Sequence, residues 1–268
     1  MNSPATSSTP QDHVLQGKRI LVTRAREQAS DLERQLQAVG AVPLAFPTIR
    51  IVPPTDNYAA LDAALRQLQT FDWGVFTSVN GVKHVWQRLE ALGLSTADTT
   101  HLSLAAIGPA TAKALTAKGV EIAVMPPHYV AESLLEALPS PAGQRFLLPR
   151  ADIARDALRT GLQAAGAEVV EVPAYHTVRV EPRPEDWAAL EQGVDIITFT
   201  ASSTVHHFVA QVGRERLQAL AQNALVAAIG PITAGAARSL GLRVDVVADS
   251  YTIAGLVDAM VNVCQGKQ

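Results

Sequence analysis

The chain has 268 residues, a formal net charge of −3 and 48% hydrophobic residues, enough for one large domain or two of about 130 residues. With 18% charged residues it has the composition of a globular chain, and its near-balanced charge argues against a dedicated nucleic-acid binder. A single cysteine, Cys264, excludes an intrachain disulfide and a cysteine-cluster metal site, and no apolar run approaches the roughly 18 residues of a membrane span.

The first sixteen residues are rich in Ser, Thr and Pro. They lack Lys, Arg and an apolar stretch, so they fit neither an export signal nor an Arg-rich transit peptide. They read as a disordered tail, with order beginning near Gly17. Lys18–Thr23 then reads as a strand, and 27–39 as a helix with Leu32, Leu36 and Val39 on one face, stopped by Gly40. Val42–Phe46 is the next strand. Further strands are expected at 73–76, 103–107, 121–124, 145–148, 168–172, 195–199, 225–228 and 243–246, with helical segments between them. Short apolar strands alternating with helices predict parallel sheets covered on both faces.

The sequence repeats itself. LVTRA at 21–25 returns as LLPRA at 147–151, an offset of 126. In the same register Leu32, Leu36, Gly40 and Pro47 match Leu158, Leu162, Gly166 and Pro173. FTSVNGV at 76–82 returns as FTASSTV at 199–205, an offset of 123, and AAIGPATA at 105–112 returns as AAIGPITA at 227–234, an offset of 122. Three blocks in one order imply a duplicated α/β unit, hence two similar domains and a cleft between them. Pro47–Pro54 and Pro173–Pro184 follow equivalent blocks. Both read as extended, because proline biases its predecessor away from helix, and they are expected to join the two halves.

The repeated blocks also carry the candidate chemistry. Gly108 and Gly230 end apolar strands, prolines at 109 and 231 open helices, and Thr111 and Thr233 fall in the first turn beside free backbone N–H groups. Helix starts of this kind receive anions. Thr77, Ser78, Ser202 and Ser203 repeat the logic, the three serines as helix N-caps. Arg24 and Arg150 each follow a strand, at the end of a parallel sheet where ligands bind. The rim so formed suits a ligand with several carboxylates or phosphates. Tyr175 lies in the second extended stretch, where it is either structural or turned to the cleft.

Other signatures are missing: GxGxxG, HExxH and GxSxG do not occur, and the Walker-like spacing 230–237 ends in Ala-Ala. His206 and His207 are adjacent and point to different faces of a helix, unlike metal ligands at i and i+4. Two other classes share the outline. A two-lobed solute-binding protein would carry an export signal, and a two-domain glycosyltransferase would need a nucleotide site.

The ordered blocks LVTRA, FTSVNGV, AAIGPATA, LLPRA, VPAYHTV, TFTASSTV and AAIGPITA resemble the uroporphyrinogen-III synthase family over about residues 17–260. The resemblance implies a lyase that cyclises hydroxymethylbilane, a linear tetrapyrrole with eight carboxylates, to uroporphyrinogen III. Ring D is inverted and water is lost, without metal or organic cofactor. It implies two α/β domains joined by a two-stranded ladder with the substrate between them. One is discontinuous, 17–47 plus 178–267, and the other is 51–175, with linkers 47–54 and 173–184. Tyr175 resembles the family's cleft tyrosine. Thr77, Ser78, Thr111, Ser202, Ser203 and Thr233 match positions lining the substrate site. A cytoplasmic monomer with a small-molecule substrate and no nucleic-acid or membrane partner is expected.

Overall fold

A computed structural model describes residues 14–152 and 156–266. The chain divides into two compact units. One holds the described residues up to Arg50 and those from Val178 onward; the other is Ile51–Thr177. Each unit is built on a five-stranded sheet.

In the first unit β1 (Arg19–Val22) pairs in parallel with β2 (Val42–Ala45) and with β8 (Ile196–Phe199). β9 (Leu225–Ala228) and the two-residue β10 (Val246–Val247) complete the order β10-β9-β8-β1-β2. Ile20 and Val22 project to one face, onto Leu32 and Leu36 of α1 (Arg26–Ala38) and onto Leu256 and Met260 of α10 (Ile253–Gln265). Leu21 and Ile197 project to the other. There they meet Val205 and Phe208 of α8 (Ser202–Asn223) and Leu190 of α7 (Pro184–Glu191). This two-sided burial is why the strands read as unbroken apolar runs. α8 is interrupted at Gly213, whose φ of 75° suits a residue without a β-carbon. α9 (Pro231–Ser239) follows β9.

The second unit has the order β3-β7-β6-β4-β5. Its strands are β3 (Ile49–Val52), β4 (Trp73–Phe76), β5 (Ser103–Ala106), β6 (Arg145–Ala151) and β7 (Glu168–Arg179). β4 pairs in parallel with β5 and β6, and β6 with β7. α2 (Ala59–Arg66), α3 (Val79–Ala91) and α4 (Pro109–Thr116) contribute to the core on one face. α5 (Ala131–Ala137) and α6 (Ala157–Ala164) cover the other.

Four expectations need correction. Order does not wait for Gly17: residues 14–17 form a turn, and Leu15 is fully buried among Ile20, Leu32 and Leu36 because an apolar side chain at that point fills the α1 face. The rest of the expected tail, 1–13, lies outside the described residues. Residues 121–124 form one bridge, Ala105 to Val124, rather than a strand; beyond Met125, Pro126 and Pro127 have no N–H to extend a ladder. The last strand starts at Val246, because Asp245 caps its neighbour, its carboxylate accepting from Val226 N at 2.9 Å. Finally, β7 does not stop at Val172 but runs through Pro173 as one twelve-residue strand. Among the described residues no helix is long and apolar enough to cross a membrane.

Candidate active site

Tyr175 reaches its position through an irregularity in β7. Val170, Val172 and Ala174 face the core beneath α3, the two-residue alternation of a strand. Continued alternation would turn Tyr175 to the opposite face. The ladder, however, pairs Arg150 with Pro173 and then Ala151 with Tyr175, so β7 holds one residue more than β6. This bulge returns Tyr175 to the α3 side, where it is buried in the same core.

There its hydroxyl lies 3.0 Å from Ser78 Oγ. Ser78 is the N-cap of α3 and accepts from Gly81 N at 3.1 Å. The Tyr175 ring stacks on His84, with centroids 5.8 Å apart and planes 20° apart. His84 Nδ1 is 2.8 Å from the Tyr58 hydroxyl. Arg88 lies over the Tyr58 ring at 5.0 Å and grips Asp62 with two bonds, of 2.8 and 2.7 Å. Burial pushes the Tyr175 phenol above its ordinary value, against the pull of hydrogen bonds with Ser78 and Asn80. Burial thus favours the protonated phenol. Burial also lowers His84, with Lys83 adding to the effect. Asn57 and Tyr58 adopt left-handed φ values of 49° and 70° without being glycine, so this corner holds backbone strain.

The neighbouring strand end supplies a second helix start. Gly108 is the N-cap of α4, Pro109 its first residue, and Thr111 lies in its first turn. In the first unit Gly230, Pro231 and Thr233 take the same places at α9. Both threonines are largely buried, and among the described residues neither hydroxyl has a hydrogen-bond partner. Thr77 is half-buried just before α3. Because β4 and β5 are parallel, and β1, β8 and β9 likewise, the helix starts of each unit lie at one edge of its own sheet.

Arg24 follows β1 and is half-buried. Desolvation lowers its guanidinium pKa, Asp31 offsets this only in part, and no described residue forms an ion pair or hydrogen bond with it. Arg150 differs from its expected place. It lies inside β6, is 3% exposed and pairs with Glu171 of β7 at 3.3 Å. The reason is that β7 keeps pairing with β6 as far as Ala151, which holds Arg150 within the ladder. Ser202 and Ser203 also need correction as caps. The N-cap of α8 is Ala201, in extended conformation and with no side-chain cap, and the two serines occupy the first helical positions.

Two features lie outside the sequence reading. Tyr129 and Tyr251 are separated by 122, the offset of the Ile-Gly-Pro blocks. A β-carbon on Gly108 would lie 3.7 Å from Tyr129, and one on Gly230 would lie 3.1 Å from the Tyr251 ring. The signal for this pair is present in the matching offset. The Tyr58–His84 pair has no such signal, since nothing in the spacing of 26 residues brings those side chains together.

Each unit is thus a sheet covered on both faces whose polar groups gather at the carboxyl ends of its strands, the arrangement of ligand-handling α/β proteins. The family model for "Uroporphyrinogen-III synthase HemD" matches residues 16–258. A uroporphyrinogen-III synthase from Synechococcus elongatus is 40% identical over 252 residues, covering 91% of this chain and 94% of the relative. A putative uroporphyrinogen-III synthase from Methanocaldococcus jannaschii is 30% identical, covering 90% of this chain and 97% of the relative. Among solved structures, a mutant uroporphyrinogen III synthase from Thermus thermophilus aligns with a TM-score of 0.66 over 93% of this chain and 100% of its own, at 23% identity. The chain belongs to the uroporphyrinogen-III synthase family, and with it to the hydro-lyases of tetrapyrrole biosynthesis.

Proposed function

We propose that the protein closes hydroxymethylbilane to uroporphyrinogen III, with Tyr175 assisting departure of the hydroxyl group. Family membership carries the reaction; the buried Tyr175–Ser78 pair supports the role of the tyrosine. The hydroxymethyl C–O bond breaks, a pyrrole N–H gives up its proton, and the two leave together as water, forming an azafulvene. Ser78 already accepts from Gly81 N, so its own hydroxyl is available to donate to Tyr175. The Tyr175 O–H is then directed at the departing oxygen, and burial keeps it protonated.

The resulting electrophile must be met by the substituted α-position of ring D and not by the free one. That choice is a matter of restraint, and folding the chain into a productive conformation is where the protein acts. Many weak donors suit a substrate with eight carboxylates. Thr77, Ser78, Gly108 and Thr111 supply them in one unit, and Arg24, Ser202, Ser203, Gly230 and Thr233 in the other. Backbone N–H groups at helix starts add positive potential without buried lysines. Arg150, already engaged with Glu171, is reassigned from binding substrate to bracing β6 and β7. We infer in addition a monomer acting in the cytosol, with no metal or organic cofactor.

The test is incubation with freshly made hydroxymethylbilane after dialysis against chelator, followed by chromatography of the oxidised porphyrin isomers. The type III isomer in excess is expected. Only type I, the product of uncatalysed closure, would contradict the reading.

A further inference from the structure

On the β6 side, the bulge that turns Tyr175 toward Ser78 is fastened by Asp152. Asp152, the residue after β6, donates its backbone N–H to the Tyr175 carbonyl at 3.2 Å. One of its carboxylate oxygens hydrogen-bonds His176 Nδ1, and the other accepts from Thr177 N at 3.4 Å. One residue therefore engages three successive residues of β7, beginning at the first residue past the bulge. Pro173 on the other side of the bulge has no N–H and cannot lock the register from there. His176 lies on the opposite face from Tyr175, beside Arg159 and Glu171, so its bond to Asp152 does not compete with the tyrosine for space.

A strand with one residue too many has a simple alternative. Moving the bulge by one position restores ordinary alternation and turns Tyr175 away from α3. On the β6 edge the Asp152 carboxylate is placed to oppose this shift, through His176 and Thr177.

We propose that Asp152 is a positioning residue for the reaction: beside the main-chain bond to Tyr175, its carboxylate pins the β7 bulge through His176 and Thr177 and so aims the Tyr175 hydroxyl at Ser78. This rests on the reading that Tyr175 assists the leaving group. His176 serves as the second half of the latch rather than as an acid or base. Both carboxylate oxygens are engaged within the protein, by His176 and Thr177, so the residue acts through Tyr175, on turnover and not on affinity.

The test combines kinetics with a direct view of the tyrosine. The full chain is labelled with tyrosine carrying ¹³C at Cζ; of the four tyrosine signals, that of Tyr175 is assigned by its loss in Tyr175→Phe. Asp152→Ala is expected to move the Tyr175 signal in the direction seen in Ser78→Ala. It should lower kcat by about ten- to a hundredfold with KM little changed, the scale of a small misplacement of a reacting group. Asp152→Asn keeps an acceptor and should recover most of the loss, which guards against an alanine variant that fails to fold. In a Tyr175→Phe background Asp152→Ala should have no further effect on kcat. A Tyr175 signal unmoved in the Asp152 variants would overturn the proposal, as would an equal loss of kcat in the Phe background. If Tyr175→Phe alone keeps full kcat, the leaving-group reading fails; the Tyr175 signal then still decides whether Asp152 holds the bulge.

Discussion

Arg24 and Arg150 stand at equivalent places in the two copies of the repeat, yet they have different surroundings. In the first unit the strand ends at Val22, the chain turns into α1, and Arg24 is left half-buried with no described ion-pair partner. In the second unit the strand continues to Ala151, and Arg150 is taken up by Glu171 inside the ladder. The helix starts differ in the same way. Ser78 caps α3 and meets Tyr175, whereas its counterpart 123 residues later is Ala201, which caps nothing with its side chain. The scaffold repeats while the side chains at the strand ends differ. The second unit holds the hydroxyl proposed for the leaving group, and the first holds the guanidinium and hydroxyls proposed to receive carboxylates.

The largest contrast in stability is expected at the paired glycines. Both have extended backbone that any residue adopts, so space and not φ decides what they tolerate. Gly230→Ala places a methyl 3.1 Å from the Tyr251 ring, whereas Gly108→Ala meets Tyr129 at an ordinary 3.7 Å. Gly230→Ala should lose about 1–3 kcal/mol, the usual range for overpacking, with Gly108→Ala close to neutral. Denaturant unfolding of the two variants checks this; equal losses would mean that the two turns are packed alike.

A smaller effect separates the two caps. Ser78→Ala removes both the cap and the bond to Tyr175 and should lose about 1 kcal/mol, whereas Ala201→Ser should gain a few tenths to about 1 kcal/mol. Thermal unfolding reads both. A gain at residue 201 as large as the loss at 78 would show that the tyrosine bond adds nothing to stability.

The smallest effect is one of pH, and it is common to both units. Burial lowers His84 in the second unit. In the first, burial, and then Arg179 and His206, lower His207. A histidine lowered in the folded state binds its proton more readily when unfolded. Its stabilising share is therefore complete above the ordinary value of 6.5 and declines as pH falls from there toward the folded value. Stability should fall on acidification through this window, and His84→Gln should flatten the curve. An unchanged slope in that variant would place the acid sensitivity elsewhere.

Much of this is legible in the sequence because it is periodic. The parallel strands, the helix starts at Gly108 and Gly230, and the cap at Ser78 follow from apolar runs ending in Gly-Pro or Thr-Ser. What is not legible depends on pairing between distant strands. Arg150 reads as a residue beyond its strand because a strand's end is set by its partner, here β7, and not by its own residues. Ser202 and Ser203 read as caps because either hydroxyl fits the pattern, and only the helix's first turn shows that Ala201 holds the place. The bulge at Ala174 leaves no mark in composition, yet it decides which way Tyr175 points.

The central claim is that the Tyr175 hydroxyl, and not merely its ring, serves the reaction. Tyr175→Phe keeps the ring in the core and on His84 while removing the oxygen that meets Ser78. Steady-state turnover of hydroxymethylbilane with isomer analysis tests it most directly. The account predicts a folded variant whose kcat falls by about a hundredfold or less, near the lower end of general-acid effects, and whose product remains type III. Full kcat in this variant would make Tyr175 a packing residue and contradict the account.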